Sequence, residues 1–416
     1  MIHDADVLII GGGVTGCGIL RDLALRGIRA VLIDRGDLNS GASGGNHGLL
    51  HSGGRYAAND TETAAECRIE GEILKRMAPR AIDDCGGLFV AVEGDDPVFA
   101  ARFPARCAAA GIDCAPVAID EARRLEPALS ERAFAAFAVP DATVDPFRLT
   151  IEQVADARSR ADGLFLPHTE VIGFDIDAGR ITAARCRDTR SGERVTIRAR
   201  QFVNAAGAWA MAVARLAGCD DVRVLWSKGT LVIANTRLTR RVVNRLRPPG
   251  DGDILVPGGT VSILGTTSDT VASLDAVRPT PEEVDRNIAE GRALIPALAH
   301  TRFIRAFAGV RPLILPSGGD GDGRKASRGF TLFDHLDQGL DNFATIAGGK
   351  LTTFRLMAER TGDLVAARLG NREPCRTATE PLPTLERLSA TEPGHSAKAW
   401  IAAKNPADGI LCECEM

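Results

Sequence analysis

The feature that most constrains this chain is a short apolar strand, Val7-Leu8-Ile9-Ile10, running into Gly11-Gly12-Gly13-Val14-Thr15-Gly16. A helix of about four turns continues to Arg26, and a second apolar run, Val31-Leu32-Ile33, closes on Asp34. Strand, Gly-x-Gly-x-x-Gly, helix and acid-ended strand together make a nucleotide-binding βαβ unit. Gly11 permits the tight turn. Gly13 lets a pyrophosphate approach the backbone and the positive helix N-terminus, and Gly16 lets helix and strand pack closely. Asp34 can accept from a ribose hydroxyl. A nicotinamide or a flavin dinucleotide satisfies this unit equally.

At 416 residues the chain exceeds one ordinary core, so two domains are expected, and 45% hydrophobic with 25% charged residues is ordinary for a globular protein. A net charge of −4 gives no general pull toward nucleic acid. An anionic ligand must therefore be met by a local cluster of cations. Asp4 and Asp6 stand where a signal peptide would be basic, and no apolar run reaches the ~18 residues of a membrane span, so a cytoplasmic chain is expected. The ten cysteines are scattered except for the pair Cys412 and Cys414, a pattern of reduced thiols more than of a disulfide framework.

From Asn39 to Gly54 the chain is rich in Gly, Ser, Asn and His, too long for a turn and suited to wrapping a large polar ligand. A helix is predicted from Thr61 to Met77, with Ala65, Ile69, Ile73 and Met77 on one face. Residues Gly87 to Pro146 mix short strands with helices around Pro97 to Ala110 and Asp120 to Leu125, as an inserted segment would. A helix from Pro146 to about Arg160 precedes a β-meander, which ends in Phe202-Val203-Asn204-Ala205-Ala206-Gly207, a second contact point for a nucleotide. Residues Val222 to Val271 are expected to be antiparallel strands interrupted by a basic helix (237–247) with Arg237, Arg241 and Arg245 on one face. Thr280-Pro281-Glu282-Glu283 is a helix start, the stretch from Gly318 to Lys325 a loop, and 343–350 a further strand closing on glycines.

The order of these segments resembles flavoproteins of the glutathione-reductase-like type. Four runs are more specific: His47-Gly48-Leu49-Leu50-His51-Ser52-Gly53-Gly54-Arg55-Tyr56, Gly309-Val310-Arg311-Pro312-Leu313, Ser327-Arg328-Gly329-Phe330-Thr331-Leu332, and Gly348-Gly349-Lys350-Leu351-Thr352-Thr353-Phe354-Arg355. They resemble the FAD-dependent glycerol-3-phosphate dehydrogenases across residues 5 to 370. The loop 37–56 and the closing Leu411-Cys412-Glu413-Cys414-Glu415 are most similar to the catalytic A subunits of the anaerobic type. The resemblance implies an α/β fold: a glutathione-reductase-like FAD-binding domain assembled from 1–86, 146–221 and 328–372. An α+β substrate (cap) domain with an antiparallel sheet would come from 87–145 and 222–327, and a C-terminal tail from 373–416.

FAD is then expected against Gly11, Gly13, Thr15, Gly16, Asp34, Arg35, Ser40, Ser43, His47, Gly48, Leu49, Ala206, Gly207, Gly348, Gly349 and Leu351. A helix N-terminus after Gly348-Gly349 would stabilise negative charge on the pyrimidine side of a reduced flavin. The expected substrate is sn-glycerol 3-phosphate, bound by Arg55, Tyr56, Arg311, Arg328, Lys350 and Thr352. Arginine suits bidentate phosphate recognition and lysine supplies a point charge. The implied reaction removes the C2 hydroxyl proton and transfers hydride from C2 to flavin N5, giving dihydroxyacetone phosphate, with Arg311, Lys350 and His51 as catalytic residues. Aerobic relatives carry Lys-Gly-Ser-His where this chain has Lys228-Gly229-Thr230-Leu231, so His51 is the nearest imidazole in a matched run. Its alternative role is packing or bonding the flavin. Gly45 also departs, standing where close relatives have arginine.

In the anaerobic relatives a Cys-x-Cys opens a C-terminal domain with a [2Fe–2S] site. Cys412 and Cys414 could ligate such a cluster only with a further cysteine pair downstream, in a longer form. The resemblance further implies flavoprotein and iron–sulfur partner subunits leading to membrane quinone. The chain would lie peripherally at the inner face of the membrane through those partners, with no span of its own. Two other readings fit an FAD fold: an oxidase or dehydrogenase of a 2-hydroxy acid or amino acid, and a non-catalytic electron-transfer subunit. A carboxylate would need fewer cations than the set here.

Overall fold

The computed structural model describes residues 2–275, 277–315 and 329–383. Two large sheets and a small one organise the described chain. The first, of eight strands, grows around Ile2–Ile10. That strand pairs in parallel with Ala30–Ile33 on one side and Arg194–Asn204 on the other, and Leu164–Leu166 and Phe343–Gly348 extend the parallel core. Val7, Leu8, Ile9, Leu32 and Ile33 are fully buried, which is why they read as continuous apolar runs with no alternation. The expected meander is present as the antiparallel strands Thr169–Asp177, Arg180–Asp188 and Arg194–Asn204. The helices Val14–Leu25, Pro146–Ala161 and Phe354–Leu369 pack on one face of this sheet, and Ala210–Leu216 on the other.

The second sheet has nine strands. Strand Val224–Ala234 lies between Phe303–Ile314 and the strands Val261–Gly265 and Asp269–Thr270, all antiparallel to it. The sheet continues through Ile254–Gly258, Val242–Arg245, Gly87–Val92 and Ala133–Val139 to Ala115–Val117. A three-stranded sheet of Leu49–Leu50, Ile82–Asp83 and Ala142–Val144 links the two.

Helix Thr61–Met77 has the predicted bounds, with the Asp60 side chain accepting from the Thr63 amide at its N-terminus. Ile69, placed on its buried face by the sequence spacing, is 47% exposed, because the covered stripe runs through Ala64, Cys67, Glu70 and Leu74 instead. Glu70 belongs to that stripe because Arg355 grips it with two hydrogen bonds of 2.7 and 2.6 Å in a buried pair. The pair ties this helix to Phe354–Leu369, so Arg355 of the fourth family-like run serves the scaffold. The helix expected from Pro97 to Ala110 is broken in two, Pro97–Ala101 and Phe103–Ala109, with Pro104 in the first turn of the second.

The basic helix expected at 237–247 is absent. Val242–Arg245 is a fully buried strand between Gly87–Val92 and Ile254–Gly258, and a loop precedes it. The amides of Arg240 and Arg241 donate to buried Glu126, while Arg245 pairs with Asp95 and Glu290. The spacing of the three arginines is helical only by coincidence: two adjacent valines favour the pleated, covered position, and the acids draw each cation elsewhere. No helix among the described residues is long and apolar enough to cross a membrane. The loop expected from Gly318 to Lys325, as well as Arg328, Cys412 and Cys414, lies outside the described residues.

Candidate active site

A cleft of about 1310 Å³ runs from the carboxyl ends of the parallel strands to the face of the nine-stranded sheet. Typical small-ligand pockets hold roughly 300–1,000 Å³, so this one has room for a dinucleotide together with a small second ligand. At one end Gly11 has φ +118°, and a Cβ there would come within 2.4 Å of the Ala205 carbonyl oxygen. Gly16 does not line the cleft; a Cβ on it would sit 1.9 Å from the Gly11 oxygen. Strand, turn and helix can therefore close on one another only with these two glycines. The Ser43 hydroxyl accepts from the Val14 amide at 3.0 Å and so fixes the 39–54 loop against the helix N-terminus.

Asp34 takes the Gly12 and Gly36 amides on its two oxygens, each at 2.7 Å. Burial pushes its carboxyl above the usual range, and the Gly36 and Gly12 amides pull it part of the way back. The remaining lone pairs of a carboxylate held this way are oriented acceptors for sugar hydroxyls. Arg35 stacks over the Trp209 ring, 4.2 Å from its centroid, at the rim of this end. Gly13, Thr15, Ser40, Leu49, Ala206, Gly207, Gly348, Gly349 and Leu351 also line the cleft. Gly48 does not: its φ is +67°, and a Cβ would press on the Val144 carbonyl. The helix following Gly348-Gly349 starts at Phe354, after a turn through Lys350 to Thr353.

At the other end Arg55, Tyr56, His47, His51, Arg311 and Lys350 converge, although up to about 300 residues separate them in sequence. The Lys350 Nζ lies 4.7 Å above the Tyr56 ring, and the His51 and Tyr56 rings are 5.2 Å apart. Arg55 donates to buried Asp253 at 2.8 Å, an acid that Arg247 shares. Arg311 donates to the Thr267 carbonyl (3.2 Å), the Ser227 hydroxyl (3.4 Å) and the Thr266 hydroxyl. Thr352 is fully buried and lies behind the cleft wall, where its hydroxyl accepts from the His51 amide at 3.1 Å. Its place is under the loop, not on the surface that a ligand would touch. Gly45 packs directly on Gly309, since a Cβ would come within 2.8 Å of the Gly309 Cα; a longer side chain there would part the loop from the strand.

Burial, then the nearby charges of Arg311 and Arg55, lower the His47 imidazole to about 3. It is therefore neutral at physiological pH. Its Nδ1 accepts from the Leu49 amide at 3.2 Å, which assigns the remaining proton to Nε2 and makes His47 a hydrogen-bond donor. The sequence did not single out Thr266, Thr267 and Ser268, which line the cleft beside Arg311, nor Trp209, which covers Arg35. A run of three hydroxyl residues directly after the apolar strand Val261–Gly265 was the available signal. Among the described residues no group of three or more His, Cys, Asp or Glu is arranged to hold a metal ion.

Residues 6–362 match the model of the FAD dependent oxidoreductase family. The chain is 43% identical to the A subunit of the anaerobic glycerol-3-phosphate dehydrogenase of Escherichia coli (strain K12), over 99% of this chain and 80% of that protein. It is 40% identical to the A1 subunit of the corresponding Haloferax volcanii enzyme, over 100% of this chain and 75% of the relative. Among solved structures, glycerol-3-phosphate dehydrogenase from Bacillus halodurans, complexed with FAD, superposes with a TM-score of 0.68 at 26% identity. That match covers 91% of this chain and 68% of the other. The L-alpha-glycerophosphate oxidase of Mycoplasma pneumoniae, also with FAD bound, shares the fold (TM-score 0.73, 19% identity, 92% of this chain and 100% of the other). The glycine cradle and doubly amide-bonded Asp34 fit the nucleotide half of FAD. The chain belongs to the FAD dependent oxidoreductase family, in the branch of the anaerobic glycerol-3-phosphate dehydrogenase A subunits.

Proposed function

We propose that the chain oxidises sn-glycerol 3-phosphate to dihydroxyacetone phosphate. The observation that carries this reading is the convergence of Arg55, Arg311 and Lys350 at one end of a cleft whose other end is a nucleotide cradle. A phosphate dianion in a protein of net negative charge needs such converging cations. Bound FAD supplies the hydride acceptor. Arg55 and Lys350 hold the phosphate, and Arg311 stabilises the alkoxide charge that develops as the C2 hydroxyl loses its proton. The lone pair of His47 at Nδ1 is engaged by Leu49, so of the two cleft imidazoles His51 is the one we assign as base, with His47 a neutral donor beside it. The assignment of 1–86, 146–221 and 328–372 to cofactor binding and of 87–145 and 222–327 to the substrate side belongs to the same proposal.

We further propose that electrons leave to partner subunits and then to a membrane quinone, and that the chain meets the inner face of the membrane through those partners. The designation of the relatives as subunits supports this. The decisive experiment is anaerobic bleaching of the bound flavin by glycerol 3-phosphate, tested beside lactate, glycerol and D-amino acids. Bleaching by glycerol 3-phosphate alone is expected, and bleaching only by a carboxylate substrate overturns the assignment. Loss of glycerol-3-phosphate-dependent dye reduction in Arg311→Ala or Lys350→Ala, with flavin retained, excludes a non-catalytic electron-transfer role.

A further inference from the structure

Arg311 reaches the cleft from strand Phe303–Ile314 by crossing the neighbouring strand Val224–Ala234. Its guanidinium lies flat against Gly229, where a Cβ would come within 2.5 Å of Nη2. Ser227, opposite Arg311 in the register, receives a hydrogen bond from Nη1 and shares one with Ser268. Nη1 also donates to the Thr267 carbonyl and Nη2 to the Thr266 hydroxyl. Thr267 is itself fixed by Thr230: the Thr230 amide donates to the Thr267 hydroxyl at 3.0 Å, and the Thr267 amide to the Thr230 carbonyl at 3.4 Å.

Thr230 alternates with Gly229 along the strand, so its side chain projects to the opposite face of the sheet from the cleft. There the hydroxyl donates to Glu283 Oε2 at 2.7 Å. Glu283 is the third residue of helix Pro281–Leu294, and Oε2 also accepts from the Thr280 amide (2.9 Å) to close a capping box. Its other oxygen faces the Lys228 ammonium at 2.6 Å, and Asn287, one turn along, donates to the Thr230 carbonyl at 2.8 Å. Thr230, Thr267 and Asn287 are fully buried and Glu283 nearly so. These bonds offset the cost of burying the acid, and removing it leaves the Lys228 ammonium and the Thr230 hydroxyl without the partner that holds them.

We propose that Glu283, behind the sheet and away from the cleft, positions Arg311 through Thr230 and Thr267. This inference rests on the reading above that Arg311 meets the reacting substrate. Glu283→Ala releases the Thr230 hydroxyl, the Thr266–Ser268 turn shifts, and the guanidinium leaves its place over Gly229. Glu283→Gln keeps an oxygen that accepts from Thr230 but turns its NH2 toward the Lys228 ammonium, so the rescue is Glu283→Gln combined with Lys228→Gln, whose side-chain oxygen accepts from that NH2.

The test is a double-mutant cycle on the FAD-loaded enzyme, reading the limiting rate of anaerobic flavin reduction by glycerol 3-phosphate. Glu283→Ala is expected to lower that rate about tenfold with flavin content and visible spectrum unchanged, and the Glu283→Gln, Lys228→Gln pair to stay within about threefold of wild type. In an Arg311→Lys background, Glu283→Ala is expected to change the rate by less than about twofold, because the group through which it acts is gone. A full tenfold effect in that background overturns the proposal. Thr230→Val, which keeps Glu283 and its capping box, should repeat the loss and serves if Glu283→Ala does not fold. Crystal structures of the FAD-loaded variants give an arm independent of substrate: a guanidinium still seated on Gly229 and the Thr267 carbonyl in both variants overturns the positioning role. Failure of glycerol 3-phosphate to bleach the wild type would instead overturn the substrate reading, leaving the crystallographic arm to decide Glu283.

Discussion

At the Gly11–Gly16 end the cleft is walled by backbone, whereas at the Arg311 end it is walled by long side chains, each held by groups far away in sequence. Most of the first end comes from about 35 consecutive residues whose own geometry leaves little choice, and the Ala205–Trp209 turn of the adjacent strand closes it. The second draws on the 39–56 loop, two strands of the other sheet and the turn after Gly349. A cofactor cradle can be made of local conformation, while a charge cluster needs a scaffold that keeps cations together against their mutual repulsion. Asp253 does this for Arg55, and the hydroxyls and carbonyl around Thr266–Thr267 do it for Arg311.

The largest expected effect breaks the backbone end. Gly16→Val places a branched side chain where even a Cβ would lie 1.9 Å from the Gly11 oxygen. It should abolish flavin retention on purification and destabilise the fold by roughly 3 kcal/mol. Stoichiometric FAD in this variant, read from its absorbance, would show that the cradle does not depend on that close approach. At the opposite end, Arg311→Ala should cut the rate of flavin reduction by about 10²–10³, with flavin content and melting temperature close to wild type. If flavin is lost as well, the two ends are not separable in the way the comparison supposes.

Asp34 gives a smaller effect. Asparagine has one oxygen for two amide donors, so Asp34→Asn should weaken FAD binding by roughly ten- to a hundredfold, from one lost buried hydrogen bond of ~1–3 kcal/mol. Because burial raises the Asp34 carboxyl, its all-acceptor form is complete above the raised value and is lost as pH falls through it. Release of FAD on acidification, followed by flavin fluorescence, should therefore begin at higher pH than an ordinary aspartate titrates. The asparagine variant should lack this limb.

The smallest effect concerns His47. Its folded-state value of about 3 lies below the ordinary histidine value, so between about 6.5 and 3 the unfolded chain binds a proton that the native one does not. The contribution is fully present above about pH 6.5 and is lost as pH falls toward 3, at no more than about 1.4 kcal/mol per pH unit. His47→Gln should flatten the acid side of a denaturation series by part of that slope. An unchanged acid limb would mean that native His47 takes up its proton as readily as the unfolded chain does, so that burial beside Arg311 and Arg55 does not hold it neutral.

The nucleotide unit, the helix Thr61–Met77 and the helix start at Thr280 are legible because each is written in neighbouring residues: glycines at fixed spacing, an apolar repeat that gives the helix bounds though not its covered stripe, a Thr-Pro start. The region 237–247 is not legible for the complementary reason. Its arginines carry a helical spacing, yet Val242 and Val243 are claimed by strands on both sides, and Glu126, Asp95 and Glu290 draw the cations apart. Thr352 was grouped with its neighbours in a matched run, and adjacency in sequence says little about which side of a turn faces the ligand. Glu283 gave only a capping signal, because its link to Arg311 crosses a sheet and exists only when three segments pack together.

The residues between Val7 and Asp34 dictate the strand, turn, helix and second strand on their own, since a φ of +118° at Gly11 and the near-contact of Gly16 with the Gly11 oxygen are demands that neighbouring residues meet or fail. The sequence also supplied the cations. That Arg55, Arg311 and Lys350 share one cleft, that His47 stays neutral beside them, and that Arg311 rests on Gly229 follow from the packing of distant segments. The physical reason is that charge proximity, burial and a side chain's seat are properties of packed surfaces, and these arise only when segments hundreds of residues apart meet.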